Sequence, residues 1–150
     1  MPISPRTILL VEDNQDDEAL TLRALARNNI GNEVVVVRDG QDAIDWLEGT
    51  GSHAGRNATN VPALILLDLN LPKIDGLEVL RRLRANPRTA VVPVVILTSS
   101  KEDRDRASGY FSGANSYVQK PVDFTSFVHA VRQLGMYWLV LNEPPPGPQR

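Results

Sequence analysis

The sequence predicts a doubly wound α/β domain, a parallel sheet with helices on both faces. Three observations carry that prediction. Short apolar runs alternate with amphipathic segments along most of the 150 residues, which is the rhythm of repeated β–α units. The apolar runs are continuous rather than alternating, as strands buried on both faces require. The composition, 42% hydrophobic and 23% charged, is ordinary for a globular chain with enough apolar surface to offset the entropy of folding. The length suits one domain, at roughly 100–200 residues each.

The elements follow in order. Thr7 to Val11 is a β-rich run that stops at Glu12-Asp13-Asn14, where charge and turn residues begin. Asp17 to Arg27 reads as a helix whose acidic first turn (Asp16, Asp17, Glu18) suits the positive end of a helix dipole. Gly31-Asn32 breaks the chain before a second strand, Glu33 to Val37, and a short helix, Gln41 to Glu48. A loop rich in Gly, Asn, Ser and Thr runs from Gly49 to Asn60. The strongest strand is Ala63 to Leu67, ended by Asp68. Leu77 to Arg84 is helical and stops at Asn86-Pro87, where proline cannot continue a helix. Val94 to Leu97 is the next buried run, ended by Thr98, and Lys101 to Phe111 is a polar helix. Ser116 to Gln119 is a final strand before Lys120-Pro121, and Asp123 is placed to cap the last helix. Residues 1–6 therefore form an N-terminal extension, 7–142 the domain with 124–141 as its extended last helix, and 143–150 a Pro-rich tail.

Composition narrows the function classes. Lys and Arg number 16 against 18 Asp and Glu, a formal charge of −2. There is no basic excess to neutralise a run of phosphates, which argues against nucleic-acid binding. Without cysteine, neither disulfides nor thiolate sites can form. Met1 to Thr7 is no signal peptide, and no apolar stretch is long enough to span a bilayer. A cytoplasmic protein without membrane partners is the default expectation.

In an open parallel sheet, ligands bind beyond the carboxyl ends of the strands. The polar residues that end the apolar runs are Glu12 and Asp13, Asp68, Thr98, and Lys120. Together they would place three carboxylates, a hydroxyl and an ammonium at one rim. Carboxylates so gathered repel one another unless a cation is present. Hard oxygen ligands with room for water favour Mg²⁺. One carboxylate as nucleophile and two on the metal would make a phosphoryl site. Each residue alone is more simply a helix cap, a turn residue or a surface lysine. Asp68 is the exception, because it interrupts an apolar run that resumes at Leu69 and Leu71.

The segments Leu9–Asn14, Leu66–Gly76 (LLDLNLPKIDG), Val95–Ser99 and Val118–Pro121 together resemble the receiver domain of two-component response regulators, from about Thr7 to the last helix. The resemblance implies a five-stranded flavodoxin-like sheet of order 2-1-3-4-5. It makes Asp68 the phosphoacceptor. Asp13, Asp68 and the Asn70 carbonyl would hold Mg²⁺, with Glu12 acting largely through metal-bound water. Thr98 would bond the phosphoryl oxygens, Lys120 would pair with the phosphate, and Tyr117 falls on the family's aromatic switch position. Lys120-Pro121 is where the family carries a cis peptide. The partner implied is a sensor histidine kinase, and the domain would be a two-state switch biased by phosphorylation rather than an enzyme. After the last helix there is too little chain for a DNA-reading module, so the expected output is contact with a downstream protein, whose identity the sequence leaves open.

Along the last helix, Phe127, Val131, Leu134, Trp138 and Leu141 share the core stripe. The opposite sector is polar at first, then apolar at Met136, Tyr137, Leu139 and Val140. An extended helix apolar all round needs cover, so a homodimer through Met136, Tyr137, Trp138, Leu139 and Val140 is expected. Gly135 could instead end the helix, leaving 136–141 as an extra strand. The tail from Val131 to Pro145 is similar to that of short regulators paired with phytochrome-type kinases. His53 and His129 read as solvated residues, neither a phosphate relay.

Other classes fit less well. A doubly wound phosphatase with Asp68 as nucleophile is the alternative, but such enzymes carry the nucleophile on an early strand. A flavin-binding flavodoxin would need a Ser/Thr/Gly phosphate loop after the first strand, where Glu12-Asp13 would repel a phosphate.

Overall fold

A computed structural model describes residues 7–28, 32–57, 61–98, 108, 110, 112–119 and 124–135. Its strands are β1 (Ile8–Val11), β2 (Val34–Val37), β3 (Leu64–Leu67), β4 (Val94–Thr98) and β5 (Ser116–Gln119). Its helices are α1 (Gln15–Arg27), α2 (Gly40–Glu48), α3 (Gly76–Ala85) and the last, α4 (Phe124–Gly135). The five strands form one parallel sheet of order β2-β1-β3-β4-β5, the order 2-1-3-4-5 expected. Of the predicted polar helix at 101–111, Ser108 and Tyr110 are described, and both are helical.

Burial explains why the strand runs are continuous. Leu9, Val11, Ile65, Leu67, Val94 and Ile96 lie in one core cluster with residues of α2 and α3. Their alternate neighbours Ile8, Leu10, Leu64, Leu66, Val95 and Leu97 lie in a second cluster with Ala24, Leu25 and Phe127 from α1 and α4. Successive side chains of a strand point to opposite faces. A sheet covered on both sides therefore needs an apolar residue at every position.

Local chemistry fixes the helix starts. Asn14, Asp39 and Asp75 each accept from a backbone N–H three residues on, capping α1, α2 and α3. The capping moves the start of α1 to Gln15, two residues before the sequence-based boundary. At the other end of α1, the Asn28 side-chain amide donates to the carbonyls of Ala24 (2.9 Å) and Val128 (3.1 Å), joining α1 to α4.

The loop after α2 departs from expectation. Gly51–His53 forms a short 3-10 turn. His53, read from sequence as solvated, is half-buried, with Nε2 2.7 Å from Asp42 Oδ1. Arg56 lies 3.5 Å over the Trp46 ring and donates to its carbonyl at 2.8 Å; burial lowers the pKa of this arginine. The segment is thus folded back onto α2 at the end of the sheet opposite Asp68. His129 is exposed on α4, as expected.

No helix among the described residues is long and apolar enough to cross a membrane. The expectations for Asp123, Met136, Tyr137, Trp138, Leu139, Val140 and the tail at 143–150 lie outside the described residues.

Candidate phosphoryl and metal site

Strand register builds the site. Val11 pairs with Leu67, so β1 and β3 end flush and Glu12 and Asp68 leave the sheet side by side. The backbone extends that row by one rung, the Asp68 N–H donating to the Val11 carbonyl at 3.1 Å and the Glu12 N–H to the Val37 carbonyl at 3.0 Å. Leu67 also pairs with Ile96, and Ile96 with Tyr117, which aligns β4 and β5 on the same edge. Thr98 ends β4 opposite Gln119. Lys120 follows directly in the chain and lies outside the described residues, as does the Lys120-Pro121 bond.

Both strand-end acids are buried, Glu12 at 1% exposure and Asp68 at 7%. Their carboxylates are joined by that of Asp17, from the first turn of α1, with one oxygen from each within 4.8 Å of the others. At that separation two unit charges repel by about 3–4 kcal/mol for an effective dielectric constant of about 20. A divalent cation removes that penalty, and an all-oxygen set of this size suits Mg²⁺ or Mn²⁺. The residues present fit such an ion.

Glu12 and Asp68 are brought together, while Asp13 is exposed beside them. Asn70 is exposed, its N–H donating to Asp68 Oδ1 at 3.1 Å. The approach of Asp17 to these two acids was not anticipated, because an acid in a first helical turn is already explained by the helix dipole. The signal that could have found it is the cap: Asn14 Oδ1 accepts from the Asp17 N–H at 3.0 Å, while the Asn14 N–H donates to Glu12 Oε2 at 3.3 Å. One asparagine thus links the strand end to the helix start.

Asp68 is held from below by the loop that leads to α3. The Gly76 N–H donates to the Leu69 carbonyl at 3.0 Å. A Cβ on Gly76 would overlap the Asp68 carbonyl oxygen, so this approach needs glycine. Further along, Lys73 adopts a left-handed backbone (φ 69°) and its ammonium lies 3.5 Å from Asp39, the cap of α2. Tyr117, at the predicted switch position, is partly buried against the core and meets the exposed Tyr110, with ring centroids 6.5 Å apart.

A five-stranded 2-1-3-4-5 sheet with carboxylates gathered at the ends of its first and third strands defines a signalling receiver. The family model for the response regulator receiver domain matches residues 8–132, and the chain belongs to that family. It is 40% identical over 141 residues to the probable methanogenesis regulatory protein FilR2 of Methanothrix harundinacea, covering 94% of this chain and 88% of that one. It is 37% identical over 135 residues to the response regulator Rcp1 of Synechocystis, covering 90% of each. Among solved structures, the Mn²⁺-bound form of Rcp1 superposes with a TM-score of 0.84, covering 95% of this chain and 100% of that one. The phosphorylated cyanobacterial phytochrome response regulator RcpA superposes with a TM-score of 0.85 at 38% identity, covering 94% of this chain and 99% of that one.

Proposed function

We propose that this chain is a stand-alone response regulator, acting in the cytoplasm, whose Asp68 accepts a phosphoryl group from a sensor histidine kinase in a Mg²⁺-dependent reaction. The observation that carries the reading is the meeting of Glu12, Asp17 and Asp68 at the ends of β1 and β3. Relatives give it further support. The chain spans about nine tenths of FilR2 and Rcp1, Rcp1 binds Mn²⁺ in its crystal and RcpA is phosphorylated in its own. RcpA is a phytochrome response regulator, which supports a phytochrome-type kinase as the partner.

The chemistry follows from the residues. The Asp68 carboxylate attacks phosphorus in line, a P–O bond forming as the P–N bond to the kinase histidine breaks, and the departing imidazole takes up a proton. When bound, Mg²⁺ supplies positive charge that offsets the carboxylates and the phosphoryl oxygens. Glu12, Asp13, Asp68 and the Asn70 carbonyl would hold that ion. Thr98 would hydrogen-bond the phosphoryl group and Lys120 would pair with it, while Tyr117 would follow Thr98 inward and pass the change to the surface of β5 and α4. Output would be by contact with a downstream protein, and the apolar run Met136, Tyr137, Trp138, Leu139 and Val140 would pair two copies of the chain.

The test is phosphorylation from a small phosphoramidate donor. Mg²⁺-dependent, hydroxylamine-sensitive label on the wild type and none on Asp68→Asn is the expected result. Label persisting on Asp68→Asn would place the acceptor elsewhere. For the dimer, truncation before Gly135 should halve the mass in light scattering, and an unchanged mass would remove that claim.

A further inference from the structure

We propose that Asp39 and Gly40, at the start of α2, are positioning residues for phosphorylation of Asp68: they seat the loop that follows it and so set how fast it is labelled. The inference rests on the reading of Asp68 as the phosphoacceptor, and both residues act through the loop rather than on the reacting group. The loop from Asp68 to Gly76 is fastened at two places. Its near end folds back on itself, the Asn70 N–H donating to Asp68 Oδ1 at 3.1 Å and the Gly76 N–H to the Leu69 carbonyl at 3.0 Å. Its far end, Pro72 to Ile74, is fastened to α2.

Three contacts make that second fastening. The Gly40 N–H donates to the Pro72 carbonyl at 3.3 Å. Gly40 is buried directly against Ile74: a Cβ there would overlap the Ile74 carbonyl oxygen and stand 2.6 Å from the carbonyl carbon and 2.7 Å from the Ile74 Cβ. Between these two points Lys73 holds a left-handed backbone, φ 69°, with its ammonium 3.5 Å from Asp39 Oδ2. Asp39 thus divides its oxygens. Oδ1 accepts from the Asp42 N–H at 2.7 Å and caps α2, while Oδ2 faces Lys73. A helix cap needs only the first. The second ties to a helix a residue whose backbone is costly for any side chain with a Cβ, and such a backbone persists where its surroundings hold it. Asn70, whose carbonyl would hold the metal, lies between the two fastenings.

The cap and the tie separate by substitution. Asparagine caps a helix as well as aspartate does, so Asp39→Asn keeps the start of α2 and releases Lys73. Asparagine also tolerates the left-handed region, so Lys73→Asn keeps the backbone and removes the ammonium. The full-length protein is labelled by phosphoramidate at saturating Mg²⁺, with initial rates and thermal melts read together. Both variants should melt close to the wild type. Each should label about two- to fivefold more slowly, because the seated loop is populated less by the worth of an exposed ion pair. The double variant should be no slower than either single one, since both remove the same contact. The difference from wild type should shrink at about 1 M salt, where screening acts over about 3 Å. Gly40→Ala, which pushes Ile74 away, should slow labelling by about tenfold or more; should it fail to fold, the two asparagine variants carry the test. Glu78→Gln, which removes exposed ion pairs further along α3, should label as the wild type does. Labelling of Asp39→Asn and Lys73→Asn at the wild-type rate or faster, or losses that add in the double variant, overturns the inference and leaves Asp68 as the acceptor. A wild type that takes no label overturns both.

Discussion

Gly76→Ala tests how tightly the fold holds Asp68, the proposed acceptor. The added Cβ would overlap the Asp68 carbonyl oxygen and stand 2.7 Å from Leu69 Cα and 3.1 Å from the Asp68 carbonyl carbon. Ordinary contact begins at 3.4 Å, so the α3 start and the chain at Asp68-Leu69 must separate by at least 0.7 Å, the difference between 3.4 and 2.7. All three atoms are backbone, and no rotamer change can relieve them. Overpacking of this kind costs about 1–3 kcal/mol, partly offset by up to about 1 kcal/mol from the better helix propensity of alanine. With the clash confined to backbone, the net loss should be about 2 kcal/mol, or about 4–8 °C in Tm for a domain of this size. Displacing Asp68 should also slow phosphorylation by about tenfold or more, since in-line attack tolerates little misplacement. Urea unfolding and the initial rate of labelling measure the two effects. A variant as stable as wild type and labelled at the same rate would refute the argument that this approach fixes Asp68.

Two further perturbations probe the frame around the site. Arg84 donates five hydrogen bonds, to the carbonyls of Ala90, Val92 and Gly113 and to Asn115 Oδ1, tying α3 to the starts of β4 and β5. Arg84→Met leaves three carbonyls unpaired and should cost about 3 kcal/mol, about 1 for each; an unchanged urea midpoint would contradict this. Hydrogen bonds from Arg81, then Arg82, hold the Glu78 carboxyl below its usual range. A carboxylate lowered by folding stabilises the protein above its unfolded pKa and loses that contribution as pH falls through the folded one. The stability gap between wild type and Glu78→Gln should therefore be present at neutral pH and close in acid. A gap that widens in acid would reverse the sign of the interaction.

What could be read from the sequence was whatever the backbone pattern determines. Each apolar run ends at a polar residue, and a parallel sheet turns those endings into neighbours; that is why Glu12 and Asp68 could be paired across more than fifty positions. Strand order was not contained in the periodicity and came from the family motifs. The approach of Asp17 to Glu12 and Asp68 escaped because an acid in a first helical turn already suits the helix dipole, and its position depends on where the Asn14 cap starts α1. His53 and Arg56 escaped for a different reason. Their partners, Asp42 and Trp46, depend on how a loop rich in Gly, Asn, Ser and Thr folds back, and no hydrophobic period records that. Arg84 reads locally as the polar end of a helix, although its guanidinium reaches Gly113 and Asn115.

The central claim is that carboxylates from separate elements meet at one rim of the sheet to hold a divalent ion. Anomalous diffraction from a crystal soaked in Mn²⁺ tests it most directly. The account predicts a strong peak bonded to the carboxylates at the ends of β1 and β3, Glu12 and Asp68, or to waters between them. A fully occupied peak elsewhere, with these side chains pointing apart, would contradict it.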